Sequence, residues 1–159
     1  MHSTPTDSAF WHCGNLYLRL EMAHGRLSGL EFVSRAEPTA ALKPEMAAVC
    51  QQLSEYFAGS RKSFTVKLHV EGTEFQKAVW NALLRIPFGE TRSYRDIAIA
   101  IGRPRAFRAV GQAIHRNPIG IIIPCHRVVG SNGALTGFAG GIELKKRLLD
   151  HETQVARKK

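Results

Sequence analysis

Long hydrophobic runs, cysteines and acidic side chains are all scarce in this chain of 159 residues. No stretch approaches the ~20 apolar residues that span a bilayer, so we expect no membrane partner. The first residues lack the basic-then-apolar pattern of a signal peptide. Three cysteines, Cys13, Cys50 and Cys125, are too few and too widely spaced for a disulfide framework. We therefore expect a cytoplasmic protein in a reducing compartment.

The shortage of acidic residues is confined to the second half of the chain. The formal net charge is +9, and residues 1–71 contribute nothing to it, with seven basic and seven acidic side chains. Residues 72–159 carry fifteen basic and six acidic side chains. This asymmetry predicts a neutral scaffold joined to a segment that meets a polyanion, with nucleic acid as the first candidate. A generally basic protein without such a partner is the alternative.

The neutral half reads as a small α/β scaffold domain over residues 1–71. Apolar runs at residues 16–21 and 27–32 predict a β-hairpin, and residues 65–70 predict another strand. Pro44 predicts the start of a helix that ends at Gly59. The apolar face of that helix holds Met46, Val49, Cys50, Leu53 and Phe57.

The basic half, residues 72–159, opens with a capping box formed by Thr73 and Gln76, which predicts a helix that ends at Pro87. Ser93 can cap a second helix over residues 94–101. Pro104 predicts the start of a third helix, which runs to about residue 115. A last helix is predicted from Ile142 to about His151, with Leu144, Leu148 and Leu149 buried. Two short helices around a tight turn predict a mostly α-helical domain with a helix-turn-helix.

The third helix has a surface suited to nucleic acid. Arg105, Arg108 and Gln112 are spaced by three and four residues and share one face, which Arg116 extends. Small residues would let the backbone approach a groove closely: Ala106, Ala109 and Gly111. A solvated basic face above a packed, alanine-rich one is the alternative.

Cys125 stands apart from the other two cysteines. Cys50 lies on an apolar helix face, and Cys13 with His12 and His24 lacks zinc-ligand spacing, so we expect no metal. Cys125 follows the apolar run 119–123, which predicts a strand leading to the turn at Pro124, and precedes His126 and Arg127. A thiol reacts as its thiolate, which a neighbouring base and positive charge favour. An inert buried cysteine beside a surface histidine is the alternative.

The segment Pro-Cys-His-Arg-Val at residues 124–128 resembles the active-site signature of the O6-alkylguanine-DNA alkyltransferases, also called methylated-DNA–protein-cysteine methyltransferases. The similarity covers about residues 73–152. It is more distant before Gly72, where the order of elements is similar to the family's ribonuclease-H-like N-terminal domain. Further matching blocks are Phe75-Gln76, Val79-Trp80, residues 86–90, Ser93-Tyr94, residues 108–111, Asn117-Pro118, Gly133, Gly140-Gly141 and residues 148–152.

The resemblance implies a chemistry and assigns roles. A protein of this family flips an alkylated guanine out of duplex DNA and moves the alkyl group from O6 to its own cysteine, here Cys125. His126 would act as the base through a water, and Glu152 would orient it. Asn117 would brace the cysteine turn, and Tyr94 would give its hydroxyl proton to the departing guanine.

The resemblance also implies a substrate pocket and a DNA surface. Arg108 would take the place of the extruded nucleotide in the base stack. The pocket residues would be Tyr94, Val128, Phe138, Ala139, Gly120 and Lys145. The residues at DNA would be Arg108, Arg105, Ala106, Ala109, Gly111, Gln112, Arg116, Ser93 and Arg127. Four positions depart from the family pattern. Phe138 and Ala139 lack hydroxyls found in relatives, Gly120 opens the pocket, and Phe107 is large beside Arg108.

The implied product is a thioether, which water does not readily cleave, so the protein would act only once. The resemblance also implies a monomer without cofactor or metal, whose partner is DNA containing O6-alkylguanine. Activity on O4-alkylthymine and cooperativity on DNA stay open. One alternative is a lesion-binding sensor, which lacks the acceptor thiol; Cys125 argues against it. Another is a helix-turn-helix regulator, which leaves residues 124–128 and Glu152 unexplained.

Overall fold

The computed structural model describes residues 7–37 and 41–158, which form two compact units divided between Val70 and Glu71. The prediction that the chain lacks a signal peptide concerns its first residues, most of which lie outside the described residues. No helix within the described residues is long and apolar enough to cross a membrane.

The first unit is an antiparallel sheet of three strands with one helix. The strands are β1 (Asp7–Cys13), β2 (Leu16–Ala23) and β3 (Arg26–Val33), in the order β1-β2-β3. Strand β2 alternates strictly, burying every second side chain from Leu16 to Met22. Such alternation is typical of a strand with one face on a core. The predicted hairpin is therefore confirmed.

Helix α1 (Pro44–Ala58) covers the first unit and ends as predicted at Gly59, whose φ of 84° suits glycine. Its buried residues are Met46, Val49, Leu53 and Tyr56. Phe57 and Cys50 are only half-buried, so the prediction of the buried face was wrong by one residue at its end. Tyr56 takes the place of Phe57 and packs its ring edge against that neighbour.

Two predictions for the first unit need correction. Strand β1 was missed because its apolar run, residues 9–11, is only three residues long and lies between the polar residues Ser8 and His12. The strand predicted at residues 65–70 is reduced to an isolated bridge, in which Leu27 pairs with Leu68. This bridge consists of two backbone hydrogen bonds of 2.9 and 2.8 Å, which connect Leu27 to Lys67 and His69.

The second unit is mostly helical. Its elements are α2 (Glu74–Leu84), β4 (Arg92–Ser93), α3 (Tyr94–Ala100), α4 (Phe107–His115), β5 (Val128–Val129) and α5 (Ile142–Arg157). Strands β4 and β5 pair in parallel. Both predicted N-terminal caps are confirmed as capping boxes: Thr73 with Gln76 on α2, and Ser93 with Asp96 on α3.

Two helix boundaries and one predicted strand in the second unit were wrong. Helix α4 begins at Phe107 rather than Pro104, because the chain first makes a turn in which Ala106 N–H donates to Arg103 O at 2.9 Å. Residues 119–123 form consecutive turns rather than a strand. Helix α5 continues to Arg157, six residues beyond the predicted end at His151.

Candidate active site

The cysteine turn is held in an unusual backbone conformation. Cys125 begins a short 3₁₀ turn, Cys125–Arg127, after the buried turns of residues 119–124. Ile121 within them has φ 69°, a strained value for a β-branched residue. Asn117 spans this segment: its Oδ1 accepts from Ile119 N–H at 2.9 Å, and its Nδ2 donates to Ile123 O at 2.8 Å. The amide thus fixes both ends of the strained turn, as expected for a brace.

The Cys125 side chain is nearly enclosed, with 8% of its surface exposed. Burial raises the pKa of the thiol, while a hydrogen bond from the Asn117 side chain and the positive charge of Lys145 act in the opposite direction. The free thiol is therefore held protonated, with a cation in place to stabilise the thiolate once a base removes the proton.

A buried ion-pair network lies directly beside the thiol. Glu152 on α5 is 1% exposed, and its Oε2 lies 2.7 Å from His126 Nε2. Arg127 binds the same carboxylate through two nitrogens, Nε to Oε1 at 2.7 Å and Nη2 to Oε2 at 3.0 Å. The Gly89 backbone N–H donates to Oε1 at 3.3 Å. Burial alone would raise the pKa of Glu152, but these hydrogen bonds and charges outweigh it and hold the pKa well below its usual range.

The network leaves one acceptor open. His126 is fully buried, and burial lowers its pKa, so its ring is neutral at neutral pH despite Glu152. Since the ionised Glu152 can only accept, Nε2 carries the proton. The other nitrogen, Nδ1, is buried without a hydrogen-bond partner. A neutral histidine with a free, buried Nδ1 in the residue after a thiol is suited to take the thiol proton, directly or through a water.

Helix α5 presents two charged side chains on its buried face. Its buried residues are Lys145, Leu148 and Glu152, spaced by three and four, whereas the predicted Leu144 and Leu149 are half-buried. Lys145 is 1% exposed. Burial lowers the pKa of Lys145, and the charge of the Cys125 thiolate opposes that change. Its Nζ donates to Thr136, to the carbonyl oxygen at 3.4 Å and to Oγ1 at 3.3 Å.

A cleft of about 700 Å³ opens between α4 and the loop around Thr136. Tyr94, the first residue of α3, lines it, and the Tyr94 hydroxyl is hydrogen-bonded to Thr136 Oγ1. The Tyr94 ring lies beside Gly111 of α4, where an added Cβ would be 3.7 Å from the ring. The remaining lining residues are Arg108, Gln112, Ile114, His115, Arg116 and Gly137. The cleft has the size of a small-molecule pocket and a basic rim.

The other predicted pocket residues differ in burial. Val128 lies fully buried in β5, and Gly120 is buried in the turns before the cysteine. Phe138 is half-buried and Ala139 is exposed, both in the loop between β5 and α5. Their roles in binding a base stay predictions.

The predicted DNA surface is exposed for the most part. Arg108, Ala109 and Gln112 lie on α4 and are exposed, as is Arg116 just beyond it. Arg105 is exposed but lies in the turn before α4, with Ala106 half-buried at the helix start, so the predicted single helical face is shorter by one turn. Ser93 is half-buried, and its hydroxyl is used to cap α3.

Arg127 is the one predicted DNA contact that the structure contradicts. Its side chain is nearly buried, with both Nε and Nη2 on Glu152, and Nη1 donates to Ile86 O at 2.8 Å. The guanidinium also lies over the Phe88 ring, 5.7 Å from its centroid. Each of the three guanidinium nitrogens is therefore bonded to a protein group, and burial keeps the side chain away from a phosphate at the surface.

Phe107, the unusual neighbour of Arg108, lies at the surface rather than packing inwards. It is 39% exposed at the first position of α4. The Arg95 guanidinium of α3 lies over its ring, 5.6 Å from the centroid. This cation–π contact brings a further positive charge to the same surface as Arg108.

Comparison with known proteins identifies the family. The family model described as "6-O-methylguanine DNA methyltransferase, DNA binding domain" matches residues 74–154, more than half of the chain. The chain belongs to this family. The matched segment contains Cys125, His126, Glu152 and Lys145, the buried residues of the site described above.

Named relatives agree with this assignment. A methylated-DNA–protein-cysteine methyltransferase of Methanosarcina barkeri is 61% identical over 102 residues, which are 64% of this chain and 65% of the relative. The constitutive enzyme of that name from Bacillus subtilis is 58% identical over 110 residues, 69% of this chain and 67% of the relative. The chain thus spans somewhat less than two thirds of the length of the Methanosarcina relative.

Solved structures extend the similarity to nearly the whole chain. The O6-methylguanine methyltransferase of Mycobacterium tuberculosis has a TM-score of 0.87 at 40% identity, covering 98% of this chain and 97% of its own. A structure of the M. tuberculosis protein in complex with DNA has a TM-score of 0.84 at 44% identity, with 94% of both chains covered. The α/β architecture predicted from sequence is therefore that of this methyltransferase family.

Sequence reasoning missed one residue that the structure brings to this candidate site. Thr136 has no motif of its own, and it lies 42 residues from Tyr94, its partner across the cleft. A hydroxyl residue in the loop before α5 was the only available signal. Among residues 7–37 and 41–158, no group of three or more histidine, cysteine or acidic side chains is arranged to hold a metal ion.

Proposed function

We propose that this protein repairs DNA by transferring the alkyl group of O6-alkylguanine in duplex DNA to its own Cys125, once and irreversibly. The observation that carries the proposal is the neutral His126, paired with Glu152 and open at Nδ1, in the residue after an enclosed thiol. A helix-turn-helix regulator has no use for such an arrangement. The structure of the M. tuberculosis relative in complex with DNA supports DNA as the partner.

The transfer needs one base and one acid. His126 removes the Cys125 proton, and the thiolate sulfur forms a bond to the alkyl carbon while the bond from that carbon to O6 breaks. The electron pair of the broken bond passes to the guanine, which takes a proton from the Tyr94 hydroxyl. The proton lost by the thiol equals the proton gained by the base, so Tyr94 and His126 return to their starting states through solvent. The product is a thioether, which water does not cleave, and the protein is consumed.

DNA engagement is assigned to α3, the turn and α4, which we propose act as a helix-turn-helix. Arg108 is exposed on α4 and lines the cleft with Tyr94, a position from which its side chain can occupy the stack when the guanine enters. Arg105 and Arg116 supply phosphate attraction. The first unit is the proposed scaffold, related to the ribonuclease-H-like domain of the family.

The direct test of the function is a single-turnover reaction with an O6-methylguanine duplex. Intact-mass analysis is expected to find one added methyl group per protein molecule, located on the peptide that contains Cys125. The same duplex with unmodified guanine is the control and should leave the mass unchanged. Absence of an adduct under conditions in which the protein binds the modified duplex would refute the proposal.

Arg108→Ala is expected to slow repair of the duplex by about tenfold or more, because no side chain then fills the gap that the flipped base leaves in the stack. Reaction with free O6-benzylguanine, which needs no flipping, should change little. Arg116→Ala is the matched control: it should weaken binding of modified and unmodified duplexes alike and make binding less dependent on salt. Equal losses on the duplex and the free base would remove Arg108 from the flipping role.

A further inference from the structure

Thr136 connects two residues of the proposed site that come from different helices. Its Oγ1 is hydrogen-bonded to the Tyr94 hydroxyl at the start of α3, and it also accepts from Lys145 Nζ of α5 at 3.3 Å. The Thr136 carbonyl oxygen accepts from the same ammonium at 3.4 Å. One short side chain therefore links the cleft, which Tyr94 and Thr136 line, to the cation that stabilises the Cys125 thiolate.

Both partners of Thr136 are anchored independently of it. Lys145 lies on the buried face of α5 with 1% exposure. The Tyr94 ring lies beside the Gly111 backbone of α4, where even an added methyl group would be in van der Waals contact. A hydroxyl held between two anchored groups has little freedom, so its position also determines where the Tyr94 hydroxyl points.

The direction of the hydrogen bonds follows from the ammonium, which can only donate. Lys145 therefore occupies one lone pair of Thr136 Oγ1, and its charge polarises the Thr136 O–H bond. When Thr136 donates to the Tyr94 oxygen, the Tyr94 proton is free to point into the cleft. Hydrogen bonds in such a chain strengthen one another, and a charged donor at the end strengthens them further. Tyr94 is thereby prepared as the proton donor.

We propose that Thr136 is a positioning residue for proton donation, which holds the Tyr94 hydroxyl towards the departing base with Lys145 as its anchor. The inference rests on the proposed alkyl transfer and adds to it a residue that neither the motif nor the family signature indicates. Thr136 itself does not touch the reacting atoms. Its effect is confined to reactions whose leaving group needs a proton.

The test compares Thr136→Val, which keeps the shape of the side chain but removes the hydroxyl, with Thr136→Ser, which keeps the hydroxyl. In single-turnover reactions with O6-benzylguanine, Thr136→Val should lower the maximal rate about tenfold or more, part of the ~10²–10⁴-fold that a positioned proton donor contributes. The half-saturating concentration should change less. Thr136→Ser should restore most of the rate.

A second measurement separates this role from a general loss of structure. Iodoacetamide alkylates the thiol and releases iodide, which needs no proton, so Thr136→Val should slow this reaction far less. In a Tyr94→Phe background, Thr136→Val should cause no further slowing with O6-benzylguanine. Thermal unfolding identifies a variant that fails to fold, and Thr136→Ala then replaces Thr136→Val.

Three results would overturn the inference: equal maximal rates for Thr136→Val and the unaltered protein, equal slowing with iodoacetamide, or full slowing in the Tyr94→Phe background. Failure of the proposed function looks different. In that case the unaltered protein takes no alkyl group from O6-benzylguanine or from an O6-methylguanine duplex, although iodoacetamide still modifies Cys125, and both proposals fall together.

Discussion

Replacing Cys125 by serine is expected to abolish methyl transfer from O6-methylguanine, by at least about a thousandfold, as for the loss of a nucleophile elsewhere. The oxygen has the same position but is a far weaker acid than sulfur, so a neutral His126 cannot deprotonate it appreciably at neutral pH. The Lys145 charge and the Asn117 hydrogen bond, which favour a thiolate, are too weak to make up this difference.

Two properties of the Cys125→Ser variant make the result specific. The side chain is enclosed and similar in size, so folding and binding of the modified duplex should be retained. Cys50→Ser serves as the matched control, because Cys50 is a half-buried cysteine on α1 of the first unit. Mass analysis should find full methylation of Cys50→Ser and none of Cys125→Ser. Methyl transfer to Cys13 or Cys50 in the Cys125→Ser protein would contradict the assignment.

Replacing Arg127 by methionine is expected to lower the free energy of unfolding by about 3–5 kcal/mol, the usual cost of removing one partner of a buried ion pair. Methionine can fill much of the space, but the ionised Glu152 would lose two charge-assisted hydrogen bonds and a cationic partner. The Ile86 carbonyl would also lose its donor. A DNA-contacting arginine would behave differently, weakening DNA binding without a comparable loss of stability.

Denaturant unfolding checks this expectation, with Arg116→Met as the matched control on an exposed arginine, expected within about 0.5 kcal/mol of the unaltered protein. The double variant with Glu152→Gln should be less destabilised than the sum of the single variants. Because the pKa of folded Glu152 is lowered, the ion pair stabilises the protein above the unfolded value near ~4.3, and its contribution is lost as the pH falls below that value. An unaltered stability at pH 7 would return Arg127 to the candidate DNA contacts.

Local signals in the sequence were reliable where a few neighbouring residues decide the structure. The caps at Thr73 and Ser93 each need only a partner three residues away, and both form as predicted. The hairpin around Gly25 and the glycine end of α1 are equally local. The start of α4 was wrong because Pro104 fits a turn as well as a first helical position.

Longer-range contacts were beyond such signals. Residues 119–123 have the composition of a strand, but Asn117 holds them in turns through bonds at both ends. Arg127 follows Cys125 in a basic segment and therefore suggested a phosphate contact. The carboxylate that binds this arginine belongs to Glu152, which lies 25 residues later in the sequence, on α5.

From the sequence alone, the basic charge could be assigned to the second half of the chain, because composition gives it directly. The resemblance of the motifs to a known family named Cys125, His126 and Glu152 as the candidate reacting and orienting groups. Only the tertiary structure determined the protonation states and hydrogen-bond partners of the site residues. Burial makes His126 neutral. The packing of the helices pairs Arg127 with Glu152 and joins Lys145, Thr136 and Tyr94 in one chain of hydrogen bonds. Burial and pairing depend on which helices pack together. No local sequence pattern indicates that Tyr94 and Thr136, 42 positions apart, are in contact.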